Sequence, residues 1–249
     1  MSTRSSTSER MGRRMRGRWQ RGAMAAAAVG LVMAMTGCGS TTAPTGDALY
    51  RDGEKHYVAY ATAMHSVIMA IHEGDWTVDQ GSFGASPIPC RINGEPSGYT
   101  FSWSRLLEPE EPIDVDAVVE AAIAGFDEVG VTAKTSTLGE GDRQEVNVIG
   151  TGGDIGRGVV TIWPARNTIW VSATPGCIPG DAADLSDMVF GGELAYEGAS
   201  LRFPAFEGPD WQPRFYFPEE GSPVYYNEDG TPVDPQPTQT EFPEAPYGD

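Results

Sequence analysis

Residues 114–173 read DVDAVVEAAIAGFDEVGVTAKTSTLGEGDRQEVNVIGTGGDIGRGVVTIWPARNTIWVSA. Val115, Val118, Val119, Ala122, Ile123, Phe126 and Val129 recur at helical spacing and form one apolar stripe. Asp114 or Asp116 serves as its N-cap, and Gly130 ends it. The period then changes. Val131–Thr137, Glu145–Ile149, Gly158–Trp163 and Thr168–Ala173 are rich in Val, Ile, Thr and Trp, which suit a pleated surface. Pro164-Ala165-Arg166-Asn167 reads as a hairpin turn between the last two. Connections this short exclude the long crossovers that parallel strands require.

Working outward toward the N-terminus, Tyr99 to Leu107 alternates, with Tyr99, Phe101, Trp103 and Arg105 on one face of a single strand. Trp76–Phe83 reads as the first strand, followed by irregular GASPIP, residues 84–89, leading to Cys90. Asp47–Glu73 carries Tyr50, Tyr57, Ala61, Met64, Ile68 and Ile71 at helical spacing, with Thr45 or Asp47 as cap and Gly74 as stop. On the C-terminal side, Asp181–Phe190 reads as a short helix. The order α-β-β-α-β-β-β-β predicts an α+β two-layer sandwich, with an antiparallel sheet of about five to six strands and two main helices on one face. Residues 47–200 make up this domain.

Charge is uneven along the 249 residues. The net charge is −18, yet residues 1–37 hold seven of the 17 basic residues and one acid. The acidic balance excludes a nucleic-acid binder. Gly22 to Met35 is uncharged and about 14 residues long, shorter than the roughly 20 of a spanning helix. A basic run followed by a short apolar run describes an export signal, residues 1–37. Arg13-Arg14 lacks the apolar residues that follow a twin-arginine pair, and Met11 and Met15 are alternative starts.

Met35-Thr36-Gly37-Cys38 resembles the lipobox of bacterial lipoproteins, with Met where Leu is more usual. The resemblance implies cleavage before Cys38, acylation of its thiol, and a mature N-terminus at that residue. The chain from Cys38 on has a net charge of −24. Its first stretch, residues 38–46, is a polar tether; the eight residues from Gly39 reach at most about 28 Å. Cys90 and Cys177 remain, in a compartment where disulfides persist, and predict one bridge. That bridge closes a loop of about 88 residues, an upper guide of about 4–5 kcal/mol.

The combination of Cys38, Trp76, Cys90, Gly130 and Cys177-Ile178-Pro179-Gly180 resembles small, largely uncharacterised lipoproteins of high-GC Gram-positive (actinobacterial) bacteria. The likeness spans Cys38 to Gly180 through loose spacings. It implies a cell-envelope lipoprotein and transfers no catalytic residue.

Composition shifts again in the C-terminal segment, residues 201–249. Residues 203–249 hold 10 of the 19 prolines, ten acids against the single base Arg214, and 10 of the 24 aromatic residues. Proline at this density opposes central strands and long helices. The segment reads as extended and partly disordered, with an envelope protein as its candidate partner. Asn227-Glu228-Asp229-Gly230 reads as a local hairpin turn between Val224-Tyr225-Tyr226 and Thr231-Pro232-Val233.

Residue patterns with chemistry are sparse. His56, His65 and His72 share the first helix, without the i,i+4 pairing of a helical zinc site. Gly150 to Gly158 has five glycines, but it joins two strands and lacks the Gly-Lys-Ser/Thr of a phosphate loop, so it reads as a flexible hairpin. Asp181, Asp184 and Asp187 read as a solvated face. No catalytic, cofactor-binding or metal-binding residue is assigned. The expectation is therefore a non-catalytic binding or accessory module, lipid-anchored through Cys38 on the extracytoplasmic face of the cell membrane. A solute- or lipid-binding lipoprotein serving a transporter and an envelope enzyme are the alternatives.

Overall fold

The computed structural model describes residues 42–190 and 205–209, residue 234, and the backbone of 215–216 and 224–225. The chain divides into two units, Met1–Ser40 and Thr41–Asp249; the first lies outside the described residues, and the fold below is that of the second. The turn expected at Asn227–Gly230 also lies outside them.

In chain order the elements are α1 (Asp47–Ile71), β1 (Trp76–Phe83), β2 (Ile88–Ile92), β3 (Glu95–Thr100) and β4 (Trp103–Leu107). Then come α2 (Val115–Glu128), β5 (Thr132–Leu138), β6 (Glu145–Gly152), β7 (Gly156–Trp163) and β8 (Thr168–Thr174). β9 (Ile178–Pro179), α3 (Ala182–Phe190), β10 (Phe206–Glu207), β11 (Phe215–Tyr216) and β12 (Val224–Tyr225) follow. The class is α+β, with antiparallel pairing throughout the described strands.

The stretch that decides the fold behaves as its pattern dictates. Asp114 caps α2 by accepting a hydrogen bond from the Ala117 backbone N at 3.2 Å. Gly130 takes φ 73°, and Val131 N donates back to Phe126 O at 2.8 Å. This is a Schellman closure, which needs a residue tolerant of the left-handed region. β5, β6, β7 and β8 then run as a meander, and Asn167 at φ 51° closes the β7–β8 turn.

Three expectations change. The main sheet has seven strands in the order β10-β1-β4-β8-β7-β6-β5, not five to six, and a separate three-stranded sheet runs β2-β3-β9. The alternating run Tyr99–Leu107 is not one strand: it breaks at Phe101-Ser102, so β3 joins the small sheet and β4 the large one. Alternation survives the break because Tyr99, Phe101 and Trp103 are all buried, and period-2 patterning reports a buried face rather than a pairing partner. Phe101 holds the crossing, stacked on Tyr60 of α1 at 5.7 Å between ring centroids. The segment before Cys90 is likewise not wholly irregular, since β2 begins at Ile88 and contains Cys90.

Register assigns the faces of the main sheet. Glu207 pairs with Trp76, Val78 with Arg105, Arg105 with Val171, Val171 with Val160 and Val160 with Val148. Directly paired residues share a face. Phe126 of α2 lies on this side, because a Cβ built on Gly150 would stand 2.6 Å from its ring and one on Gly158 2.8 Å. The two helices touch where Gly125 of α2 meets Val67 and Ala70 of α1. Gly150 and Gly158 are thus sites of close helix–sheet approach. The hairpin they flank is packed, with Ile155 at its tip fully buried.

Candidate functional site

Arg105 is a cation on the apolar face of a strand, and such a charge needs a buried counter-charge. Glu207 supplies it from β10, at the sheet edge beyond β1. Its Oε2 accepts from Arg105 Nε at 2.6 Å, and its Oε1 lies 2.7 Å from His65 Nδ1 of α1. Arg105 and Glu207 are 2 % and 1 % exposed, whereas His65 reaches the surface at 19 %. Arg105 also donates to Phe83 O and Ser104 O, and its Cζ sits 4.4 Å from the Trp103 ring centroid.

Burial pushes the Glu207 carboxyl up, but Arg105 and His65 outweigh burial and hold it below the ordinary carboxylate value. Burial raises the phenols of Tyr57 and Tyr60 alongside, and Tyr60 donates its hydroxyl proton to Gly84 O. The carboxylate is committed to a cation and an imidazole in the core. Its chemistry is that of a fastener: it ties the C-terminal segment to the domain. Tyr99, which donates to Asp52 at 2.9 Å, fastens the small sheet to α1 in a similar way.

The opposite face of the main sheet is different in character. Across it, Phe206, Thr77, Leu106, Trp170, Thr161 and Asn147 are successive register partners. Trp170 stacks on Trp163 at 6.2 Å with the rings 16° from parallel. Trp163 Nε1 and Asn147 Nδ2 donate to Glu145 at 3.1 and 2.7 Å, and Thr161 donates to Asn147 Oδ1. Arg166 lies 5.7 Å from the Trp163 ring centroid, and Lys134 and Arg157 fall on this face by alternation. Trp170 is 39 % exposed and Phe206 52 %. Aromatic rings with basic neighbours can hold apolar or acidic side chains by contact and charge.

Of the residues singled out from sequence, Cys90 and Cys177 are disulfide-bonded, with Cα atoms 5.9 Å apart. The bridge crosses β3 at Gly98, where a Cβ would strike the Cys177 sulfur. Cys38 lies outside the described residues. The histidines are dispersed: His56 Nε2 is 3.5 Å from Asp52, His65 meets Glu207, and His72 is the C-cap of α1 with its carbonyl accepting from Trp76 Nε1. Asp181 accepts from Ala183 N and Asp184 N and so starts α3. Among the described residues, no three His, Cys, Asp or Glu side chains converge as metal ligands, and no helix is long and apolar enough to cross a membrane. An open groove at the end of α1 is lined by Met69 to Gly74.

Sequence reasoning placed Arg105 on the packed face without finding Glu207. The charge among aromatics was itself the signal that a buried acid must exist. Against known protein families, curated proteins and solved structures, the chain has no match.

Proposed function

We propose that the protein is a lipid-anchored, extracytoplasmic lipoprotein acting as a non-catalytic binding module of the cell envelope. The observation that carries this reading is the Cys90–Cys177 disulfide, in a chain whose first 37 residues have the basic-then-apolar pattern of an export signal. Cys38 takes the acyl chains, and a tether of about 28 Å holds the folded unit near the lipid surface. Arranged as two layers, with its helices on one side, the domain presents the Trp163–Trp170 face and the segment 203–249 to an envelope protein. Metabolic labelling with an alkyne fatty acid tests the anchor. Label is expected on the wild-type protein and absent from Cys38→Ala; an unlabelled wild-type protein contradicts the reading.

A further inference from the structure

A sheet ends in two edge strands whose outer backbone N–H and C=O groups meet no neighbour, and native proteins blunt such edges. Among the described residues, this chain does so at every edge but one. β10, at one end of the main sheet, is two residues long, and so are β9, β11 and β12. β9 also ends in Pro179. β2, the other edge of the small sheet, contains Pro89 and shifts register between Cys90 and Ile92. Proline and a bulge both interrupt a ladder.

β5, at the other end of the main sheet, has none of these devices. Its seven residues, Thr132–Leu138, pair with β6 without a register shift. They include no proline or glycine, and Lys134 is their one charge. Six of the seven are exposed, on both sides of the sheet: Lys134 and Ser136 on the helix-free side, Thr135 and Thr137 on the Arg105 side. Ala133, the partner of Gly150 beneath Phe126, is the half-buried one. Residues 129–139 contain no acid, in a chain that carries −24 from Cys38 on. The open edge is thus a place where two acidic copies can approach each other.

We infer that β5 pairs antiparallel with β5 of a second copy, about a two-fold axis through Thr135 normal to the sheet. A strand is self-complementary about its midpoint, and centring on Thr135 engages all seven residues. Thr135 then stands opposite its own copy, Lys134 opposite Ser136, Ala133 opposite Thr137 and Thr132 opposite Leu138. No like charges face each other across the pair, and Thr opposite Thr suits cross-strand contact. A second copy also brings a strand of matching length that is already formed, without the ordering cost of a flexible peptide. One continuous antiparallel sheet results, with both Trp163–Trp170 faces on the same side. This consequence rests on the proposed binding role and deepens it, because two faces side by side hold a partner with two sites by avidity.

The test is photo-crosslinking of the full-length protein in intact cells, with p-benzoylphenylalanine in place of Leu138, which is 57 % exposed. A matched probe at Ile123, exposed on α2, is the control, and a probe at Ser136 stands in should the Leu138 variant not fold. The expected result is a dimer-sized band linked to β5 of the second copy, and none from position 123. Thr135→Lys and Thr135→Glu each set like charges face to face, and each is expected to lose the band. Expressing the two together is expected to restore it between them, a rescue that misfolded variants could not give. No dimer band from either edge position, a band that survives both substitutions, or no rescue in protein that keeps its Cys90–Cys177 bridge overturns the inference. A link to a different envelope protein alone overturns it too, while supporting the binding role. Fatty-acid labelling of the same cells separates the two claims: label without the dimer removes the pairing, and the dimer without label removes the anchored reading.

Discussion

Glu207 and Arg105, 102 residues apart in sequence, form a 2.6 Å ion pair in the core of the sheet. Glu207 belongs to a two-residue edge strand, and Arg105 to β4 on the far side of β1. The carboxylate is also shared with His65 at 2.7 Å. A segment that by composition stands apart from the domain is therefore fastened into it. Removing the carboxylate leaves the guanidinium buried without its counter-charge, the costly way to break such a pair. Glu207→Ala is expected to destabilise the protein by about 3–5 kcal/mol in urea unfolding. The double variant Arg105→Met/Glu207→Leu is expected to recover much of that loss, because no buried charge is left unpaired. Equal losses in the single and double variants would place the energy elsewhere.

The same pair sets a pH dependence. The folded-state value of Glu207 lies below its ordinary one, so its contribution is complete above the unfolded carboxyl value, about 4.3. That contribution is lost as pH falls through the depressed folded value. The stability gap between wild type and Glu207→Gln is therefore expected to shrink on going from about pH 6 to about pH 3. Urea midpoints across that range measure it. A gap that stays constant would mean that Glu207 is not held ionised by its partners.

Gly150 tests the packing of α2 on the sheet. A Cβ there falls 2.6 Å from the ring of Phe126, in the last turn of α2. Gly150→Ala is expected to cost about 1–3 kcal/mol through overpacking. Phe126→Leu in the same chain is expected to relieve part of it, giving a favourable coupling in a double-mutant cycle. Strict additivity would show that the two sites do not meet.

The fold was legible where local rules dominate. α2 has a cap, a stripe and a glycine stop, and β5 to β8 are joined by short turns, so period and punctuation suffice. β1 likewise spans Trp76–Phe83, as its residues indicate. What escaped depends on contacts far apart in the chain. A two-residue strand such as β10 has no period to read, and acidic, proline-rich surroundings disguise Glu207 as one solvated acid among many. The β3–β4 break escaped because both pieces bury the same side. The glycines at 150 and 158 suggested a loose hairpin, whereas their missing side chains make room for Phe126. The Cys90–Cys177 bridge was legible because only two thiols remain after Cys38, whatever the fold between them.

Anchorage at the envelope is the centre of the account, and the intact mass of the protein isolated from its own membranes tests it most directly. The predicted result is a chain that begins at Cys38, carries acyl chains on that residue and is oxidised at Cys90–Cys177. An unacylated chain, or one that retains residues 1–37, would contradict it.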